Sequence, residues 1–80
     1  MTLHEIRIPK LGMETTECEI KTWLVNVGDR VNAGGELLEV ETEKADVVIE
    51  AEVAGVITEL RHARGERVEV GAVVGVIEVG

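Results

Sequence analysis

Glu43-Lys44 lies between two runs that read as strands, Leu37 to Thr42 and Ala45 to Ala51. A lysine at a hairpin tip projects its amine into solvent on a flexible four-carbon stem. Acylating that amine removes its charge and lengthens the stem into a long arm. If Glu43 and Lys44 form a two-residue turn, Thr42 faces Ala45, Val40 faces Val47 and Leu38 faces Ile49. One face is then apolar or small, and the other carries Glu39, Glu41, Asp46 and Glu50. A slip of one residue would destroy that match, so the register is well specified. Glu41 opposite Asp46 is a like-charge pair with a small cost. Asn-Gly or Asp-Gly would suit such a turn better, so Glu-Lys is a local mismatch of the kind found at functional positions.

No other group of residues assembles into chemistry. One cysteine, Cys18, excludes an internal disulfide and a Cys-only zinc site, and reads as a small core residue. His4 and His62 lack metal-ligand spacing, so no metal site and no catalytic group are expected.

The elements that must position Lys44 are strands. Ile6 and Ile8 alternate with Glu5 and Arg7. Cys18, Ile20, Thr22 and Leu24 alternate with Glu17, Glu19, Lys21 and Trp23. A period of two marks half-buried strands. Trp23, out of phase with Ile20 and Leu24, is expected to cover a second apolar patch with Val25. Turns are expected at 26–29, 33–35, 54–55, 64–66 and 70–72, with their glycines at positive φ. No helical stripe is sustained. The core must come from Val, Leu, Ile and Ala, because 45% of residues are hydrophobic but only 1% aromatic. The expected fold is all-β, a flattened barrel or sandwich of two small antiparallel sheets.

An internal repeat at a constant offset of 37 supports quasi-two-fold symmetry. Residues 28–34 match 65–71, and Leu37, Val40, Glu41, Ile20 and Trp23 match Val74, Ile77, Glu78, Ile57 and Leu60. At that offset Lys44 falls just beyond Gly80. Lys44 and the chain ends should therefore lie at opposite ends of the domain. The segment Pro9 to Thr15 is longer than its counterpart, and an extra loop in one half is a candidate for recognition.

The segment GDRVNAGGELLEVETEKADVVIEAEVAGVITEL, residues 28–60, closely resembles the lipoyl-attachment motif of acyltransferase components of 2-oxo acid dehydrogenase complexes. Gly28, Asp29, Val31, Gly34, Leu37, Glu39, Glu41, Thr42, Lys44, Ala45, Gly55 and Val56 carry the resemblance, supported by Pro9, Leu11 and Gly12 and by the ending GERVEVGAVVGVIEV. The family is the biotinyl/lipoyl attachment domain family, whose fold is a barrel-sandwich hybrid. The resemblance implies lipoate in amide linkage to Lys44. It implies acyl transfer from a thiamine-diphosphate 2-oxo acid dehydrogenase to an acyltransferase site for coenzyme A, and reoxidation by dihydrolipoamide dehydrogenase. It also implies a lipoate ligase or transferase that reads Glu43, Ala45 and Asp46. Contact with the dehydrogenase is implied through Lys10, Leu11, Gly12, Met13, Glu14 and Thr15. Most members have Asp where this chain has Glu43, and small residues where it has Cys18. Gly12-Met13-Glu14 is closer to the pyruvate or acetoin types than to the 2-oxoglutarate type. By the same resemblance, residues 1–80 are expected to form one carrier domain excised from a longer multidomain chain, monomeric alone and located in a bacterial cytoplasm, the preferred setting, or a mitochondrial matrix.

Two alternatives share parts of this pattern. A biotin carrier has the same fold and lysine hairpin, but its lysine usually sits between methionines, whereas Lys44 has Glu43 and Ala45. An unmodified β-sandwich adaptor would leave the Glu-Lys tip unexplained. A phosphopantetheine carrier needs a serine, and there is none. A net charge of −8 argues against nucleic acid and acidic membrane surfaces as partners. No apolar run is long enough to span a membrane, and the start MTLHEIRIPK lacks a secretory signal's apolar stretch.

Overall fold

The computed structural model describes residues 2–80. Eight strands follow in order: β1 (Thr2–Arg7), β2 (Glu17–Trp23), β3 (Arg30–Val31), β4 (Glu36–Glu41), β5 (Asp46–Glu50), β6 (Gly55–Leu60), β7 (Arg67–Glu69) and β8 (Val73–Val79). They form two four-stranded antiparallel sheets, ordered β1-β8-β6-β3 and β5-β4-β2-β7. The aliphatic composition meets in the space between them. Ile8, Ile20, Leu37, Leu38, Ile57 and Ile77 are fully buried. Each such side chain contributes roughly 1.5–3 kcal/mol by leaving water.

The repeat is a structural symmetry. Ile20 pairs with Val40, and Ile57 with Ile77. Glu19 pairs with Glu41, and Val56 with Glu78. Both ladders slip at the equivalent place, between Ile20 and Thr22 and between Ile57 and Glu59. The halves are also interleaved, because Gly28 N–H donates to the Ile57 carbonyl at 2.7 Å and Gly65 N–H to the Ile20 carbonyl at 2.8 Å. Gly28, Gly34, Gly65 and Gly71 all turn at positive φ, two in each half.

Two expectations need correction. The alternation in β2 breaks at Lys21, where a bulge inserts one extra residue and reverses the phase. Trp23 therefore packs with Val25 against the main core, where a second patch was expected, and Leu24 is 47% exposed. The second correction concerns Gly55, expected in a turn at positive φ. It begins β6, is buried and, like Gly35 of the 33–35 turn, is not among the positive-φ glycines. A Cβ there would lie 2.2 Å from the Glu78 carbonyl oxygen, so close backbone approach is what requires glycine.

The chain ends lie together, Thr2 opposite Val79. From there β1 and β8 run to Arg7 and Val73, and loop 8–16 leaves from that far end to start β2. Glu19 of β2 pairs with Glu41 beside the Lys44 turn. The lysine hairpin thus shares its end of the molecule with loop 8–16, away from the termini. Ile8 exchanges backbone hydrogen bonds with Gly71 and Ala72 as Ala51 does with Gly34 and Gly35, so the two are equivalent. Between Ile8 and Cys18 the chain spends residues 9–17, but between Ala51 and Gly55 only 52–54. The extra length is the expected asymmetric loop.

Candidate functional site

β4 and β5 hold the register expected of them. Glu41 faces Asp46, Val40 faces Val47 and Leu38 faces Ile49. Thr42 N–H donates to the Ala45 carbonyl at 2.9 Å, closing the turn around Glu43 and Lys44. No non-glycine residue among those described has positive φ, so the turn is not the mirror-image type that best fits strand twist. Thr42 supplies what that geometry lacks. Its Oγ1 accepts N–H bonds from Lys44 (3.2 Å) and Ala45 (3.1 Å) and donates to the Ala45 carbonyl at 2.9 Å. A hydroxyl that satisfies the backbone of its own turn is a known habit of threonine, and that signal, not used in reading the sequence, would have found this residue's role.

Glu43, Lys44, Ala45 and Asp46 are all exposed. Among the described residues, ion pairs engage Lys21, Arg7, Arg61, Arg67 and both histidines, and none engages Lys44. Asp46 is already occupied, since Lys21 Nζ lies 2.5 Å from its Oδ2. That hydrogen bond, then the charges of Asp46, Glu39 and Glu41, push the Lys21 ammonium pKa up. Lys21 thereby offsets the Glu41–Asp46 repulsion. The bulge that aims it there was not legible from alternation.

The loop residues divide by burial. Lys10, Gly12, Met13 and Glu14 are exposed, Met13 at 95%. Leu11 packs on the core, and Thr15 is buried. Thr15 Oγ1 donates to Glu43 Oε1 at 3.3 Å, which joins the loop to the lysine turn.

This geometry suits covalent attachment rather than pocket binding. The depression flanking the turn is small, about 180 Å³, and is lined by Glu17, Glu19, Glu41, Thr42, Glu43 and Arg67, polar walls without an apolar enclosure. Cys18 is buried, and burial pushes its thiol pKa up, with Arg67 opposing and Glu17 adding; it is no nucleophile at neutral pH. Among the described residues, no three His, Cys, Asp or Glu side chains could hold a metal ion.

The biotin/lipoyl family model, described as "Biotin-requiring enzyme", matches residues 4–77. The succinyltransferase component of the 2-oxoglutarate dehydrogenase complex of Staphylococcus saprophyticus is 41% identical over 78 residues, covering 98% of this chain and 18% of that protein. The acetyltransferase component of the pyruvate dehydrogenase complex of Corynebacterium glutamicum is 43% identical over 72 residues, covering 90% of this chain and 11% of that protein. The chain thus spans under a fifth of the length of these relatives. Their identities are too close to assign one complex. Among solved structures, the lipoyl domain of the 2-oxoglutarate dehydrogenase complex of Azotobacter vinelandii superposes with a TM-score of 0.76 at 26% identity, covering 95% of this chain and 96% of that one.

Proposed function

The chain belongs to the biotin- and lipoyl-attachment family as a lipoyl domain, and from that premise we propose that Lys44 is its attachment residue. The observation that carries this reading is the Lys44 amine itself, exposed and without an ion-pair partner among the described residues, at a turn held by Thr42. Bound there in amide linkage, lipoate supplies a disulfide that can take up an acyl group and two electrons. The domain's own residues anchor and present. Thr42 fixes the backbone of the turn, the β4–β5 register keeps it at the end of the molecule, and Lys21 occupies the Asp46 carboxylate that could otherwise engage the amine. Tethering maintains a reactive group at high effective concentration near successive partners without tight binding.

The partners follow as part of the same proposal. A thiamine-dependent 2-oxo acid dehydrogenase loads the arm. The acyltransferase domain of the parent chain unloads it to coenzyme A, and dihydrolipoamide dehydrogenase restores the disulfide. The cytoplasm or a mitochondrial matrix is the setting, where a lone thiol such as Cys18 stays reduced. Biotin is the second reading, because the family model spans both groups. Both named relatives are acyltransferase components, which favours lipoate.

Intact mass after co-expression with a lipoate ligase, and separately with a biotin ligase, tests the proposal. One lipoyl group should appear on the wild type, none on Lys44→Arg, and no biotin on either. Lipoylation of Lys44→Arg at Lys10 or Lys21 would show the wrong residue, and biotin on the wild type would show the wrong group.

A further inference from the structure

Loop 9–16 and the lysine turn are distant in sequence, yet one hydrogen bond ties them. Thr15 is the only polar residue in the buried class among those described, at 9% exposure. A Cβ on Gly12 would lie 3.5 Å from its Oγ1, so the loop's own glycine roofs the hydroxyl. The hydroxyl donates outward to Glu43 Oε1 at 3.3 Å. The loop's other anchors lie at its margins. Leu11 packs on the core, and the Thr16 carbonyl accepts Val70 N–H at 2.9 Å. Between them Met13 stands 95% exposed. Side-chain length decides whether the tie can form. Aspartate at position 43 would withdraw the carboxylate by one methylene, roughly 1.5 Å. A contact already at 3.3 Å would then leave hydrogen-bonding range.

We propose that Glu43 is a positioning residue that clamps the Met13 loop at a fixed offset from the Lys44 amine. The inference rests on the carrier reading above. A partner that must touch the loop and reach the lysine in one encounter, as the loading dehydrogenase must, meets both groups already arranged. Without the clamp it must order the loop as it binds, which weakens association. Chemistry after binding is unaffected, so the effect falls on KM rather than kcat. An attaching ligase that reads the lysine turn is indifferent to the loss of the Thr15 hydroxyl.

The experiment uses lipoylated wild type, Thr15→Val, Thr15→Ser, Glu43→Asp and the Thr15→Val/Glu43→Asp double variant. Reductive acylation is measured with whichever of the pyruvate, 2-oxoglutarate and branched-chain dehydrogenases loads the wild type fastest. KM should rise about fivefold in Thr15→Val and Glu43→Asp, the scale of one hydrogen bond, with kcat little changed. Thr15→Ser should behave as wild type, and the double variant should be no worse than either single one. Amide exchange at residues 11–15 should quicken in the clamp-breaking variants alone, while lipoylation rates by the ligase stay equal in Thr15→Val and Thr15→Ser, which leave the lysine turn untouched. An acylated wild type with unaffected variants, additive losses, or lipoylation of Thr15→Val slowed in parallel would overturn the clamp. A wild type that none of the three dehydrogenases acylates would overturn the carrier reading and the clamp with it.

Discussion

Thr42, next to the lysine turn, bears the cost of placing Glu-Lys where the strands would favour Asn-Gly. Its hydroxyl makes three contacts with the turn backbone. Thr42→Val removes them at nearly constant volume, and should cost about 1–2 kcal/mol. The midpoint of urea unfolding reads that loss, and an unchanged midpoint would mean the turn is held by the β4–β5 ladder alone. Lys44→Arg should leave the midpoint within about 0.5 kcal/mol of wild type, as for other exposed substitutions. Glu66 gives the molecule a pH dependence. Its carboxylate accepts Ala63 N–H at 2.6 Å and lies 3.2 Å from His62 Nδ1, and these contacts hold its pKa below the ordinary carboxylate range. A depressed folded value means that the stabilisation is present above the unfolded value, and is lost as pH falls through the folded one. Unfolding midpoints should therefore fall on acidification below about pH 4, and Glu66→Gln should flatten part of that fall. A variant with the wild-type pH profile would remove Glu66 from the account.

At the scale of elements, period-two alternation found β1, β2, β4 and β5, but not β6 or β8, whose faces are less clean. It paired β4 with β5 correctly because a hairpin register is fixed by its turn. What it missed were bulges. Leu37 and Leu38 are consecutive and both buried because the β4–β5 ladder slips between Glu36 and Leu38. Val74 and Gly75 repeat this in the other half, beside the slip between Ile6 and Arg7. A bulge is a relation between two strands, so a single strand's pattern does not announce it. The Thr15–Glu43 tie was hidden for the same reason, because nothing local links a loop threonine to a turn glutamate 28 residues on. Gly55 and Cys18 show how tight the equivalent places are. They are symmetry mates at the edge of β3–β6 and β2–β7 pairing, yet one tolerates a thiol and the other no Cβ. Gly55→Ala should destabilise by about 1–3 kcal/mol through overpacking against Glu78 and Ile77. Thermal unfolding checks this, and a neutral result would mean that β6 and β8 can separate slightly without loss.

For the whole molecule, the offset of 37 does more than double a motif. It makes the Lys44 turn the quasi-symmetric counterpart of the place where β8 ends and β1 begins, and Thr2 indeed pairs with Val79. A permutant that joins Gly80 to Thr2 through a short linker and opens the chain between Met13 and Glu14 should therefore keep the fold. New ends in an exposed loop are commonly tolerated. Its melting temperature should fall only modestly, and Lys44 should still be lipoylated, while acylation by the dehydrogenase should suffer because the clamped loop is cut. An unfolded permutant would show that loop 9–16 is part of the core's support rather than an addition to it.

The central claim is that Lys44 is the root of an acyl-carrying arm. Its most direct test is to incubate the lipoylated domain with a thiamine-dependent dehydrogenase and an isotopically labelled 2-oxo acid, then locate the label by peptide fragmentation. Pyruvate, 2-oxoglutarate and branched-chain 2-oxo acids are each supplied with their own dehydrogenase. The account predicts label on the peptide containing Lys44 for at least one of them, and its loss when acyltransferase and coenzyme A are added. Label at another residue, or none with any of the three, would contradict it.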